Sequence, residues 1–176
     1  VCEVLNTKST IINPENPVME VADGSIVFDN VSFKYKAEAE NYALYDISLK
    51  IKSGSTVGII GGTGSSKTTL VNLISRLYDP TVGEIYVGDV NIKDYDIETL
   101  RNNVAVVLQK NVLFSGSILE NLRWGNKEAT LEECIEAAKL AQAHDFISSF
   151  PDGYDTHIEQ GGTNVSGGQK QRLCIA

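Results

Sequence analysis

Apolar and polar positions alternate through the first third of the chain. Ile26 and Phe28 stand on one parity and Val31, Phe33 and Tyr35 on the other. Successive strand side chains point to opposite faces, so this pattern predicts a strand with a bulge or bend near Asn30. Ile47, Leu49 and Ile51 predict a second alternating strand, and residues 84–87 a short third one turned by Gly88-Asp89. Two runs are apolar without alternation, residues 56–60 (TVGII) and 104–108 (VAVVL), and predict strands covered on both faces.

Helical spacing takes over elsewhere. A helix is predicted after residue 67, running to about Leu77 and stopping before Pro80; Asp96 can cap another that reaches Arg101. Thr130 with Glu133 forms a capping-box pattern, followed by Leu131, Cys134, Ile135 and Ala138 at helical intervals. Pro151-Asp152-Gly153 reads as a turn, and a last helix starts near Gln169. Residues 1–5 fit the tail of a helix, and residues 6–20, with Pro14 and Pro17, an extended linker. The expected organisation is a linker over 1–22, an α/β core over 23–110 and a helical subdomain over 111–176. No internal repeat or low-complexity tract interrupts it.

The chemistry concentrates after the run at 56–60. Gly61, Gly62, Thr63, Gly64, Ser65 and Ser66 form a loop of small residues leading into Lys67, Thr68 and Thr69 at a helix start. Small residues let backbone N–H groups approach phosphate oxygens, and the helix N-terminus adds partial positive charge. Lys67 supplies a mobile charge for the outer phosphates and Thr68 a hydroxyl for Mg²⁺. The strict spacing G-x-x-x-x-G-K-[ST] has glycine where Ser66 stands. If that position needs positive φ, serine costs roughly 1–2 kcal/mol there, and is expected to weaken nucleotide binding or reshape the loop. A glycine-rich turn with a chance lysine is the plainer alternative; a dinucleotide-binding fingerprint fits worse, because Lys67 falls where its third glycine belongs.

Bulk properties narrow the field. The 176 residues suit one domain. The net charge of −8 argues against a general nucleic-acid binder. Cys2, Cys134 and Cys174 share no metal spacing and read as reduced thiols of a cytosolic protein. His144 and His157 likewise have no metal spacing. No apolar run approaches the length of a membrane span, and no signal peptide is visible. Val1 at the start and a helix running to Ala176 lead us to expect a piece of a longer chain.

A second motif, residues 165–169 (VSGGQ), places Ser166, Gly167 and Gly168 before the helix at Gln169. Alone it reads more simply as a glycine turn. With the first loop, the chain resembles the nucleotide-binding domain of ATP-binding cassette transporters of exporter type. Residues 165–169 resemble that family's signature, usually Leu-Ser-Gly-Gly-Gln, and residues 61–69 its Walker A loop. Gln109 matches the Q-loop glutamine, residues 112–118 and 120–122 resemble the stretch after that glutamine in exporters, and Tyr35 falls at the base-stacking aromatic. By itself Tyr35 reads as a half-buried core aromatic. Gln160 falls near the exporter cross-talk loop, beside Glu159.

The resemblance implies an α/β P-loop NTPase core, a mixed sheet with an antiparallel β subdomain, plus a helical subdomain, with the C-terminal part of the fold missing. It implies ATP and Mg²⁺ as cofactors. Tyr35 would stack on the base, and Gly62, Thr63, Gly64, Ser65, Ser66, Lys67, Thr68 and Thr69 would hold phosphates, with Thr68 and Gln109 at the metal. Lys67 and Gln109 would serve the chemistry. Ser166, Gly167, Gly168 and Gln169 would meet nucleotide held by a second such domain, closing head to tail as a homo- or heterodimer. A transmembrane domain of the same parent chain would place this one at the cytoplasmic face of a membrane. The family's Walker B strand, catalytic carboxylate, D-loop and switch histidine find no counterpart here, so this piece alone is expected to hydrolyse little ATP. The two rival readings are a weakly hydrolysing regulatory partner in a heterodimer and a soluble cassette ATPase of DNA repair or translation.

Overall fold

The alternation at residues 26–33 is realised in one strand, β1 (Ile26–Phe33), in a computed structural model that describes residues 9–108 and 110–176. β1 has antiparallel neighbours on both edges, β2 (Leu44–Ile51) and β3 (Val82–Val87). β4 (Val90–Asn91) pairs with β3, completing the order β2-β1-β3-β4. Register slips between Phe28 and Val31 against β2, and between Asp29 and Ser32 against β3, with Asn30 at φ 48°. This is the bulge that the change of parity predicts, and it lets Phe28, Val31 and Phe33 all reach the core. Gly83, at φ 79°, accepts the bulge from the neighbouring strand. A Cβ there would lie 2.4 Å from the carbonyl oxygens of both Asp29 and Asn30, so any other residue must force β1 and β3 apart.

The described residues divide into two compact units, one ending at Ala105 and one beginning at Val106. In the first, α1 (Lys67–Ile74) and α2 (Ile97–Asn102) bring Leu70, Leu73 and Leu100 to the sheet residues Phe28, Val31, Ile85 and Val87. Asp96 caps α2 by accepting the Thr99 N–H at 2.8 Å, and that bond holds the carboxyl below its ordinary range. Tyr95 is fully buried and donates its hydroxyl to the Val87 carbonyl at 2.8 Å; burial pushes the phenol up.

The proline-bearing stretch read as a linker is tied to this unit from Ile12 onward. Val18 bridges Tyr95 in parallel, and Asn13 accepts the Ile97 N–H at 2.9 Å. Arg76 fastens the same stretch from beneath. It is 5% exposed, with φ 49°, and donates to Asp79 Oδ1 (3.0 Å) and to the carbonyls of Lys93 (3.3 Å) and Ile12 (3.2 Å). Residues 1–5, expected as a helix tail, lie outside the described residues.

The second unit is helical, as the spacing after residue 112 predicts, with a small antiparallel ladder of two strands distant in sequence, β5 (Gly116–Ser117) and β6 (His157–Ile158). Its helices are α3 (Ile118–Leu122), α4 (Leu131–Leu140), α5 (His144–Ser149) and α6 (Gly167–Ile175). Complete capping boxes start α3 at Ser117, α4 at Thr130 and α6 at Ser166. Leu113, Ile118, Leu122, Cys134, Ala138, Ile147, Ile158 and Leu173 form its core. No helix among the described residues is long and apolar enough to cross a membrane.

One expectation is corrected. Residues 56–60 and 104–108 form no strand, every described ladder is antiparallel, and the single parallel pairing among the described residues is the bridge at Val18. Ile60 is 99% exposed and Leu108 54%. An apolar run supplies side chains suited to a covered strand, but backbone N–H and C=O groups become a strand only when a neighbour pairs with them. Neither run has such a neighbour among the described residues. Ile60→Thr is therefore expected to change stability by less than about 0.5 kcal/mol, the range of surface substitutions. A thermal melt of the chain checks this, and a loss of several degrees would mean that Ile60 is covered.

Candidate functional site: the loop at the start of α1

The loop at residues 61–65 is exposed and ends on Ser66, the N-cap of α1. Ser66 has φ 60° and ψ 23° and makes no side-chain capping bond. The one position that departs from the motif is thus held in the left-handed region. Gly64 is at φ 83°. The Ser65 N–H donates to the Gly62 carbonyl at 3.3 Å, which closes the turn. No acidic residue lies in the first turn of α1, so its N-terminal partial charge stays uncompensated.

Lys67 crosses back over this loop. Its Nζ donates to the carbonyls of Gly61 (2.7 Å) and Gly62 (2.8 Å) and to Ser65 Oγ (3.1 Å). The ammonium therefore sits within the concavity of the loop, held by neutral oxygens in exposed surroundings. Phosphate oxygens carry more charge than carbonyls and form stronger bonds to ammonium, so an anion competes well for it. Thr68 is exposed, and its hydroxyl has no partner among the described residues. Thr69 is 5% exposed and turned inward.

The left-handed conformation of Ser66 belongs to the fold, so its strain counts against folding stability. Ser66→Gly removes roughly 1–2 kcal/mol of strain and adds about 0.5–1 kcal/mol of unfolded-chain entropy. The expected net gain is between about 0 and about 1.5 kcal/mol, a rise of up to about 5 °C for a chain of this size. Differential scanning calorimetry checks it; a lowered melting temperature would show that the serine side chain is needed there.

Tyr35 lies just beyond β1 and is 56% exposed. Its hydroxyl shares a 2.7 Å hydrogen bond with Thr69 Oγ1, and its ring meets Phe33 (4.9 Å between centroids, 79°) and Tyr78 (5.2 Å, 88°) near the perpendicular. The structure thus brings Tyr35 to the helix that carries Lys67. Tyr78 is absent from the sequence-derived candidates. An aromatic in the turn Tyr78-Asp79-Pro80 directly after the helix of the loop is the signal that could have found it.

In the second unit, Ser166 Oγ accepts the Gln169 N–H (3.2 Å) and Gln169 Oε1 accepts the Ser166 N–H (2.9 Å). Gly167 and Gly168 occupy the first positions of α6 and are exposed. Lys170 Nζ donates to the Gly161 carbonyl at 2.7 Å. Partial burial pushes the Cys174 thiol up, with Lys170 opposing, so it is no activated nucleophile. Glu159 accepts the Thr163 hydroxyl at 2.5 Å. Gln109 lies outside the described residues. Among the described residues, no group of three or more His, Cys, Asp or Glu could hold a metal ion.

A loop of small residues, a left-handed step into a helix, and a lysine and threonine in its first turn define the P-loop class of α/β proteins. Comparison with known proteins gives the particular branch. Residues 44–176 match the family described as ABC transporter, and this chain belongs to that family. It is 51% identical over 153 residues to YgaD of Bacillus subtilis, named as a multidrug export ATP-binding/permease protein, covering 87% of this chain and 26% of that protein. It is 44% identical over 159 residues to ABC transporter B family member 2 of Dictyostelium discoideum, covering 90% of this chain and 11% of that one. Among solved structures, a bacterial Atm1-family ABC exporter with ATP bound superposes at TM-score 0.92 and 35% identity, over 98% of this chain and 30% of that one. The chain thus spans about a quarter of YgaD's length and a smaller share of the Dictyostelium protein. The fold is that of the family's P-loop NTPase region with its helical part.

Proposed function

We propose that this chain binds Mg²⁺-ATP at the loop before α1, as the motor domain of an exporter that hydrolyses ATP to ADP and phosphate. The observation that carries this reading is the triple anchorage of Lys67 Nζ within the loop, on two carbonyls and a hydroxyl that an anion can replace. The donor set fits a polyphosphate. Main-chain N–H groups of residues 62–69 would cradle it, and Lys67 would leave its carbonyls for the outer phosphates. Tyr35, more than half exposed beside α1, would carry the base. The exposed Thr68 hydroxyl fits Mg²⁺, with Gln109 as a second candidate; the ion, when bound, neutralises phosphate charge. No Asp or Glu occurs in residues 61–78, so residues of this loop and helix bind and orient rather than act as general base.

The exposed amides of Gly167 and Gly168, with Ser166 and Gln169, would receive an anion presented by a second such domain in a head-to-tail dimer. A transmembrane domain in the parent chain would be the other partner, and the cytoplasmic face of the membrane the location. These readings draw on the family and on the exporters named above. Calorimetric titration of the chain with Mg²⁺-ATP tests the central one, and the absence of saturable binding would overturn it. Ser66 favours a second reading, a nucleotide-binding but weakly hydrolysing partner in a heterodimer. Faster turnover of the parent protein carrying Ser66→Gly would select it.

A further inference from the structure

Helix α1 starts at the loop and ends in a strained turn. The Leu77 N–H donates to the Asn72 carbonyl and the Arg76 N–H to the Leu73 carbonyl, both at 3.1 Å. This pair of bonds closes a helix on a left-handed residue, usually glycine. Here the residue is Arg76, at φ 49°. Such strain persists only where the surroundings over-determine it. Arg101 supplies one restraint, donating from Nε to the Ser75 carbonyl (3.2 Å) and from Nη2 to the Arg76 carbonyl (2.8 Å). The Arg76 side chain supplies the other, through Asp79, Lys93 and the Ile12 carbonyl.

Ile12 belongs to a strap, residues 11–18, seated by polar anchors more than by burial. Asn13 accepts the Ile97 N–H at 2.9 Å and donates to Asp96 Oδ1. Val18 donates to the Asp94 carbonyl at 2.8 Å and accepts the Asp96 N–H at 3.0 Å. Val18 packs on the core, yet Ile12 is 66% exposed and no residue of 11–18 is fully buried. A segment with so few buried contacts opens at lower free energy than the core beneath it.

We propose that this strap is a latch coupled to the phosphate loop through Arg76 and α1. Seated, it helps hold Arg76 in its left-handed conformation and fixes where α1 ends. Lifted, it takes the Ile12 acceptor away, the strain at Arg76 relaxes, and the last turn of α1 rearranges. The helix has eight residues, a rigid rod about 12 Å long, so a change at its far end reaches the loop at its start. The proposal rests on the nucleotide-binding reading given above. Coupling of this kind is reciprocal: nucleotide at the loop holds the strap down, and a loosened strap weakens nucleotide binding by the same factor. The strain released by one left-handed residue bounds that factor at about five to thirty.

The test measures hydrogen exchange at the Val18 and Asp96 amides of the chain, with and without saturating Mg²⁺-ATP. Exchange there is expected to slow about fivefold or more on binding. Asn13→Ala removes a strap anchor that takes no part in the loop. It is expected to speed exchange at both amides and to lower Mg²⁺-ATP affinity about threefold to tenfold by calorimetric titration. The exchange measurement on the parent sequence needs no variant and stands should Asn13→Ala fold poorly. Exchange that Mg²⁺-ATP changes by less than about twofold would overturn the latch. Faster exchange in Asn13→Ala with affinity kept within about twofold would overturn it too, leaving the strap a purely structural part. Failure of the underlying reading looks different: the parent sequence would show no saturable Mg²⁺-ATP binding at all.

Discussion

Lys67→Ala abolishes measurable ATP binding while leaving the fold in place. The ammonium donates to three exposed neutral oxygens, and water can replace it at each, so its removal costs under about 1 kcal/mol of stability. Against a polyphosphate the same ammonium makes charge-assisted bonds, worth about 1.5–3 kcal/mol each. Losing two of them lowers affinity by about 3–6 kcal/mol, a factor between about a hundred and about ten thousand. Calorimetric titration and a thermal melt of the same sample read the two quantities separately. On the proposed ATP-hydrolysing reading, Mg²⁺-dependent turnover by the parent protein is expected to be lost in step. Retained affinity within about threefold would remove the lysine from the site and the function with it; a collapsed melting temperature would instead assign it a structural part.

Arg76→Leu has the opposite profile, a large loss of stability with no direct effect on the ligand. The guanidinium joins Asp79, Lys93 and Ile12, three separate segments of the first unit. Its removal strands the Asp79 carboxylate, which keeps 31% exposure, and leaves two carbonyls to find other donors. Unpaired partners of a buried charge cost about 3–5 kcal/mol, here moderated by the access that Asp79 keeps to water. Leucine also inherits φ 49°, a region unfavourable to a branched side chain. The melting temperature is expected to fall by roughly 10 °C for a chain of this length. A shift below about 2 °C by circular dichroism would show that the three contacts are dispensable.

What could be read in advance depended on how local its cause was. The Asn30 bulge was legible because a parity switch between Phe28 and Val31 leaves few other ways to bury both. The cap box at Thr130 was legible because its two partners stand three residues apart; the box of Ser166 and Gln169, at the same spacing, emerged only in the structure. The loop before Lys67 was legible as far as its spacing, and Ser66 as the position in that loop where a side chain meets a demand for positive φ. The runs at 56–60 and 104–108 misled because strand formation needs a second strand, which hydrophobicity along one segment does not supply. The Arg76 junction and the Tyr35–Thr69 pair were hidden for the same reason: each joins residues far apart in sequence, and neither has a residue type that announces its partner.

The self-contained cap of α6 has a kinetic corollary. Because Ser166 and Gln169 satisfy each other, that terminus is shaped before anything arrives. A visiting anion would encounter amides already fixed in direction, with little conformational entropy left to surrender on contact. Association there would be a docking of preorganised surfaces, its rate governed by diffusion and orientation and not by the ordering of a loose loop.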